Sequence, residues 1–146
     1  MVQVAGGWLC DMGLAGWEVN VVTADHDDQR ALRILGVRGH HLDSAVSRPV
    51  YGPCLQALAV QAELYCADER VRRMVHTIAE ANMTDIRVWG ETWPGDFEDR
   101  ADLVSHRLSS AARAFKAQAL VAASAASWPA ETEEFRRGAI RQLALA

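Results

Sequence analysis

The sequence predicts a small α/β protein in which helices pack on a mostly parallel sheet, with more helix than strand. Two kinds of pattern predict this class. Apolar, β-branched runs after Trp17 and after Asp85 are typical of buried strands, and amphipathic helical patterns flank them. The 146 residues are 50% hydrophobic and 23% charged, which is the balance of a folded domain with its own core. The alternative is a mostly helical α+β fold with a short sheet.

The first third of the chain alternates helix and strand. Glycines close two of the predicted helices, and Asp27 or Asp28 is a suitable N-cap for the second one. The predicted elements are a helix over Trp8–Ala15, a strand over Trp17–Ala24, a helix over Gln29–Leu35, a weaker strand over Val37–Leu42 and a loop over Asp43–Val50.

The middle of the chain predicts two helices and a strand. Pro53 occupies the favoured first position of a helix, and apolar residues continue at helical spacing to Tyr65. A break near Cys66 is expected because Asp68 and Glu69 are suitable for a new helix start, and this second helix ends at Asn82. A strand over residues 85–90 and a loop over residues 91–102 follow.

The last third predicts an Ala-rich helix over Leu103–Ala123, a small-residue linker over Ser124–Ala130 and a final helix over Thr132–Leu143. Glu133 and Arg137 support the final helix because they form an i,i+4 pair in the favourable orientation. The predicted organisation is therefore one α/β domain over residues 1–128, with residues 129–146 packed on it as a C-terminal amphipathic helix.

A dinucleotide-type turn is one hypothesis for the first residues of the chain. Residues 2–5 would form a first strand and Gly6 and Gly7 a phosphate turn. Asp25 would be the acidic residue at the end of the next strand, which has the general character of a Rossmann-like strand. The G-x-G-x-x-G pattern is absent, and Trp8 stands where a pyrophosphate would approach the backbone. We therefore expect a strand, a turn and a helix here, and assign no cofactor-binding residue.

Acidic residues follow both predicted strands. Parallel strands bring their carboxyl ends to one edge of a sheet, where open α/β folds bind ligands. Carboxylate oxygens suit Mg²⁺ or Mn²⁺, so the candidate metal ligands are Asp25, Asp27, Glu91 and Asp96. This hypothesis predicts that Asp25 and Glu91 lie within about 8 Å of each other, so that one hydrated ion bridges them. Helix capping and a solvated loop explain the same residues without a metal.

No sequence motif identifies a catalytic residue. The chain contains neither the HExxH pattern nor the G-x-S-x-G pattern. His26 and His106 are candidates for a general base, and His40, His41 and His76 for metal ligands, but we expect each to be an ordinary surface or boundary residue. The catalytic residues are therefore left unassigned.

Two tryptophans flank the acidic edge of the predicted sheet. The rings of Trp89 and Trp93 could stack on a sugar or a base, and both are candidate ligand-stacking residues. The chain has 5 tryptophans in all, and this residue type is favoured at protein interfaces. The tryptophans thus also favour self-association or contact with a protein partner.

Charge and hydropathy exclude several classes. The net charge of −4 argues against general nucleic-acid binding, and the arginine clusters share their helices with acids. We find no leader sequence and no apolar run of about 18 residues, so we expect a cytoplasmic protein without membrane contact. Lys116 is the single lysine beside many arginines, which favours a bacterial, high-GC genome.

The leading prediction for function is a non-catalytic binding or regulatory domain, because no catalytic motif is intact. The alternative is a small divalent-metal-dependent enzyme, or a protein that binds a nucleotide or phosphate ligand, which uses the acids at the carboxyl edge of the sheet. The sequence alone leaves open whether the chain is an enzyme.

Overall fold

The computed structural model describes residues 1–24, 29–47, 57–81, 85–99 and 101–141. Within these ranges lie six helices and six strands. The helices are α1 (Val2–Leu14), α2 (Gln29–Ile34), α3 (Leu42–Ser47), α4 (Ala62–Ala67), α5 (Glu69–Ala81) and α6 (Ser110–Ala122). The strands are β1 (Asn20–Thr23), β2 (Arg38–His41), β3 (Ala57–Gln61), β4 (Asp85–Trp89), β5 (Asp102–Arg107) and β6 (Thr132–Arg137).

Residue contacts divide the chain into two compact units. Unit 1 comprises Met1–Val50 and Ser105–Glu133, and unit 2 comprises Tyr51–Val104 and Glu134–Ala146. Each unit contains a pair of parallel strands, β1 with β2 in unit 1 and β3 with β4 in unit 2. The crossover that parallel pairing requires passes through α2 in unit 1 and through α4 and α5 in unit 2.

Unit 1 is built around α6, on which α1 and α2 pack. Ala112 and Ala119 of α6 are completely buried, and such small side chains let neighbouring helices approach closely. Gly7 of α1 has the same effect, since a Cβ atom at this position would overlap the side chain of Leu108. Beside these helices β1 and β2 run parallel, with Asn20 opposite Arg38 and Thr23 opposite His41.

In unit 2, α4 packs against β3, and α5 packs against α4. Ala57 lies opposite Asp85 and Gln61 opposite Trp89. The apolar face of α5 consists of buried residues at i, i+4 and i+7: Val71, Val75 and Ile78. Strand β4 also pairs with β6 in the antiparallel direction, and the sheet order is β3-β4-β6-β5, with β5 and β6 each divided along the chain between the two units.

The structure confirms the predicted α/β class, with sheets that mix parallel and antiparallel pairs. The predicted strands at β1 and β4, the weaker strand at β2, the helix at α2 and the break between α4 and α5 are confirmed. Residues 2–5 were expected to be a strand but belong to helix α1, and the predicted loop after residue 42 begins with helix α3. Gly6 and Gly7 lie buried inside α1, which removes the predicted phosphate turn.

Three strands were predicted as helix or loop. The helical spacing read from residue 55 to Tyr65 is interrupted by β3, because pairing with β4 satisfies its backbone groups. Strand β5 stands at the end of the sheet order and is mostly exposed, so it shows no apolar pattern. In β6 the buried positions alternate with exposed ones, as in a strand with one face covered. One of the buried residues is Glu133, and because glutamate is polar, the sequence does not show the two-residue apolar pattern of a strand.

The predicted C-terminal helix is therefore wrong over Thr132–Arg137, whereas the boundary expected at residue 128 stays a prediction. Of the cysteines, Cys10 is buried, Cys66 is exposed, both are free thiols, and Cys54 lies outside the described residues. In the part of the chain that the structure describes, no helix has the length and apolar character needed to cross a membrane.

Candidate active site

Two of the four acids predicted as metal ligands lie within the described residues. Asp25 and Asp27 lie outside the described ranges, so the expected approach of Asp25 to Glu91 stays a prediction. Glu91 and Asp96 are described, and both are exposed in the loop that follows β4. Across the described ranges, no three His, Cys, Asp or Glu side chains come together as a metal-binding group.

Glu91 contributes its backbone rather than its carboxylate. Its N–H donates to Oε1 of Glu63 at 2.9 Å. The pKa of Glu63 is lowered by hydrogen bonds from backbone N–H groups, first its own and then those of Glu91 and Thr92. Gly90 has φ +121°, and a Cβ atom there would collide with the Glu63 carboxylate. Glu63 therefore fixes the start of the loop after β4, and no sequence motif indicates this role.

Asp96 lies at the centre of a polar network in unit 2. The Tyr65 hydroxyl donates to Oδ2 of Asp96 at 3.1 Å, and Nε2 of His76 lies 3.0 Å from the same hydroxyl. Because a phenol has a single proton, which goes to Asp96, the imidazole donates from Nε2. Arg72 places Nε 3.6 Å from Asp96 and its guanidinium over the Tyr65 ring. Burial, then the bond to Asp96, raises the pKa of Tyr65 far above its ordinary value.

The two candidate stacking tryptophans have different environments. Trp89 ends β4, opposite Gln61, and is half-buried. Trp93 is also half-buried; its Nε1–H donates to the carbonyl of Glu98, and its ring packs edge-on against Phe97. Gly138 lies so close to the Trp93 ring that a Cβ atom would come within 2.9 Å of it. Packing inside unit 2 accounts for these contacts of Trp93, and ligand stacking by either ring stays a prediction.

A second polar cluster, in unit 1, joins an aspartate directly to a histidine. Asp11 lies on α1 and His106 on β5, and Oδ2 of Asp11 is 2.9 Å from Nε2 of His106. The same oxygen accepts the backbone N–H of Ser109 at 3.0 Å. The side chains are 13% and 21% exposed, so both are shielded from solvent but the imidazole remains accessible. We call Asp11 and His106 the dyad.

Local sequence explains how the dyad is held. Ser109 is the N-cap of α6, and its Oγ accepts the N–H of Ala112 at 3.0 Å. Asp11 therefore sits at the positive end of a helix, which favours its ionised form. Burial alone would raise the pKa of Asp11, but hydrogen bonds from Ser109 and then from His106 lower it below its ordinary value.

The dyad leaves one imidazole nitrogen available for chemistry. Since Nε2 of His106 bonds to a carboxylate, it carries the proton, and Nδ1 is the basic nitrogen of the neutral ring. A partly accessible imidazole, oriented by a carboxylate, is the arrangement of a general base. Sequence reading considered His106 for this role but missed Asp11, because nothing links two residues 95 positions apart.

Comparison with known proteins gives one informative likeness. No family model and no curated protein sequence matches the chain. One similar solved structure is the crystal structure of a deacetylase triple mutant that is involved in the teicoplanin biosynthetic pathway. The TM-score is 0.63 at 13% sequence identity, over 99% of this chain and 94% of that chain.

At this identity the likeness establishes the fold, which agrees with the α/β class. It also contradicts the prediction of a non-catalytic binding or regulatory domain, because the protein that shares the fold is an enzyme. The alternative prediction, an enzyme, agrees better with this comparison. Self-association, a protein partner and a cytoplasmic location stay predictions.

Proposed function

We propose that this chain is a hydrolase that cleaves an acyl group from nitrogen, with His106 as the general base and Asp11 as the carboxylate that orients it. The observation that carries the proposal is the 2.9 Å contact between Oδ2 of Asp11 and Nε2 of His106. The likeness to a deacetylase supports acyl hydrolysis as the reaction class, and cleavage from nitrogen rather than oxygen is part of the proposal.

In this mechanism Nδ1 of His106 takes a proton from water while the water oxygen bonds to the acyl carbon. The C–N bond then breaks, and the proton is returned from the imidazolium to the nitrogen of the leaving amine. Asp11 keeps Nε2 protonated and stabilises the positive charge that the ring acquires. Its ionised state, which this role requires, is favoured by the bonds from Ser109.

A divalent cation held by the acids that follow β1 and β4, namely Asp25, Asp27, Glu91 and Asp96, stays a prediction. Mg²⁺ or Mn²⁺ would polarise the acyl oxygen, which is the task that the dyad itself does not perform. The experiment therefore includes each cation as a variable.

The test measures amine release from 4-nitroacetanilide and from N-acetylated sugars and peptides, with and without added Mg²⁺ or Mn²⁺. We expect His106→Gln to lower kcat by about 10²- to 10⁴-fold, the usual contribution of a general base. Asp11→Asn should also lower kcat, because an amide no longer holds the productive tautomer.

The matched control is His76→Gln, which removes an imidazole that also lies near an aspartate, but in unit 2. Activity should survive this change. Full activity in His106→Gln would overturn the proposal, and loss in His76→Gln alone would place the active site in the Asp96 network.

A further inference from the structure

The interior of unit 1 contains an ion pair that the proposed mechanism does not use. Nζ of Lys116 on α6 lies 2.6 Å from Oε1 of Glu133 on β6, and the side chains are only 1% and 2% exposed. Removing two charges from water is costly, so a pair at this depth needs hydrogen bonds for its remaining donors and acceptors. The partners in those hydrogen bonds show which part of the fold the ion pair holds in place.

The additional partners are backbone groups of α1. Glu133 accepts the N–H of Gly7 at 2.8 Å and the N–H of Trp8 at 2.7 Å, one on each carboxylate oxygen. Lys116 donates to the carbonyl of Gln3 at 2.6 Å. In a regular α-helix the N–H of residue 7 is directed at the carbonyl of residue 3. The ion pair therefore binds both backbone groups of one such i to i−4 pair in α1. Glu133 accepts from the N–H of Gly7, and Lys116 donates to the carbonyl of Gln3.

This attachment lies on the face of α1 that carries the dyad aspartate. Gly7 and Asp11 are four residues apart and therefore share one face of the helix. A Cβ atom on Gly7 would overlap Leu108, which stands in the chain between the two partners of Asp11, His106 and Ser109. Between Gly7 and Asp11 comes Cys10, whose pKa is raised by burial and then by the charges of Asp11 and Glu133.

We propose that Lys116 and Glu133 are positioning residues for the dyad: by clamping the backbone of α1 at Gly7, they set the distance from Asp11 to His106 and Ser109. The proposal rests on the proposed function for its biochemical meaning. Lys116 and Glu133 act on the dyad through the backbone of α1 and do not contact the substrate, whereas His106 of the dyad does.

The experiment measures the ionisation of Asp11, which needs no substrate. The carboxyl ¹³C shift of Asp11 and the amide shift of Ser109 are followed by NMR through an acid titration. In the wild-type chain the pKa of Asp11 lies below its ordinary value. In Lys116→Met we expect the pKa of Asp11 to rise towards or above its ordinary value, because α1 moves and the bonds from Ser109 and His106 lengthen.

A second variant covers the case in which Lys116→Met does not fold. Lys116→Met/Glu133→Gln removes both charges, retains an amide oxygen for one backbone N–H, and should show the same rise in the pKa of Asp11. The control is Leu32→Ala, which removes a completely buried side chain of α2 in the same unit and leaves the clamp intact. It should leave Asp11 unchanged.

A wild-type titration of Asp11 in either folded clamp variant would overturn the proposal. An equal shift in Leu32→Ala would also overturn it, because the effect would then reflect loosening of the unit as a whole. If the wild-type chain hydrolyses a test substrate, the clamp variants should lower kcat at least tenfold with little change in KM. If no substrate is turned over, the proposed function fails, but the titration still decides whether the clamp positions Asp11.

Discussion

In unit 1 an aspartate bonds to a histidine directly, whereas in unit 2 a tyrosine hydroxyl lies between the two. Asp11 reaches Nε2 of His106 at 2.9 Å, while Asp96 lies 3.7 Å from Nε2 of His76 and bonds to Tyr65 instead. The carboxylates also differ in their other partners. Asp11 accepts a backbone N–H at a helix start, and Asp96 lies beside the guanidinium of Arg72.

The arrangement in unit 1 is the better suited of the two to catalysis. Arg72 already compensates the charge of Asp96, so this carboxylate has less to offer an imidazolium formed on His76. The network of Asp96, Tyr65, His76 and Arg72 instead connects the loop after β4 to α4 and α5. In the dyad of unit 1, the carboxylate of Asp11 interacts with His106 and with the N-terminal end of α6. Four predictions test this contrast between the two clusters.

The largest effect should come from the ion pair beneath the dyad. Lys116→Met leaves Glu133 charged and buried without its partner, and we expect the free energy of unfolding to fall by about 3–5 kcal/mol. Urea denaturation measures the change. The double variant Lys116→Met/Glu133→Gln should recover part of it. The control is Arg38→Ala, which breaks an exposed ion pair with Glu18 and should cost at most about 1 kcal/mol. Equal losses in the two single variants would contradict this prediction.

Substitutions at two glycines of α1 distinguish the effect of close packing on stability from the effect of helix propensity. Gly7→Ala places a methyl group against Leu108, so we expect a loss of about 1–3 kcal/mol and weakened contact within the dyad. Gly13→Ala is the matched control, because its nearest neighbour is the carbonyl of Gly36 at 3.7 Å, and it should gain up to about 1 kcal/mol from helix propensity. Thermal unfolding of both variants checks the signs. A stabilised Gly7→Ala variant would mean that Leu108 moves aside without cost.

In unit 2, Tyr65→Phe removes the hydroxyl that joins Asp96 to His76 and keeps the ring against Phe97. We expect a loss of about 1–2 kcal/mol from the missing hydrogen bonds and no change in hydrolytic activity. Urea denaturation and the amine-release assay are run on the same preparation. Unchanged stability with lost activity would reverse the comparison and make unit 2 the catalytic region.

The smallest effect is the acid dependence that Asp11 contributes. Its pKa in the folded chain is lowered, so its ionised form adds stability above its unfolded pKa of about 3.9, and this stability is lost as the pH falls through the folded pKa. Asp11→Asn should therefore flatten the dependence of unfolding free energy on pH below about pH 5. Asp102→Asn, at an exposed position of β5, should leave the dependence unchanged. An identical slope in wild type and Asp11→Asn would show that the bonds from Ser109 and His106 have no net effect.

Local patterns in the sequence determined the α/β class, the strands β1 and β4, and the apolar face of α5. Each of these follows from periodicity within about a dozen residues, and that is the range over which sequence reading works. The same reading predicted Asp96 as a metal ligand, which stays a prediction. It could not identify the partners of Asp96, because Tyr65 and His76 reach it across 31 and 20 positions.

Tertiary structure alone decided the remaining features. Strand β3 forms because it pairs with β4. Strand β6 lacks a recognisable apolar alternation because a glutamate occupies one of its buried positions. Asp11 and His106 meet because α1 packs at Leu108 through Gly7, and no local pattern encodes that contact. Propensity and periodicity act between near neighbours in the chain, whereas a buried charge or an oriented imidazole depends on groups that only folding brings together.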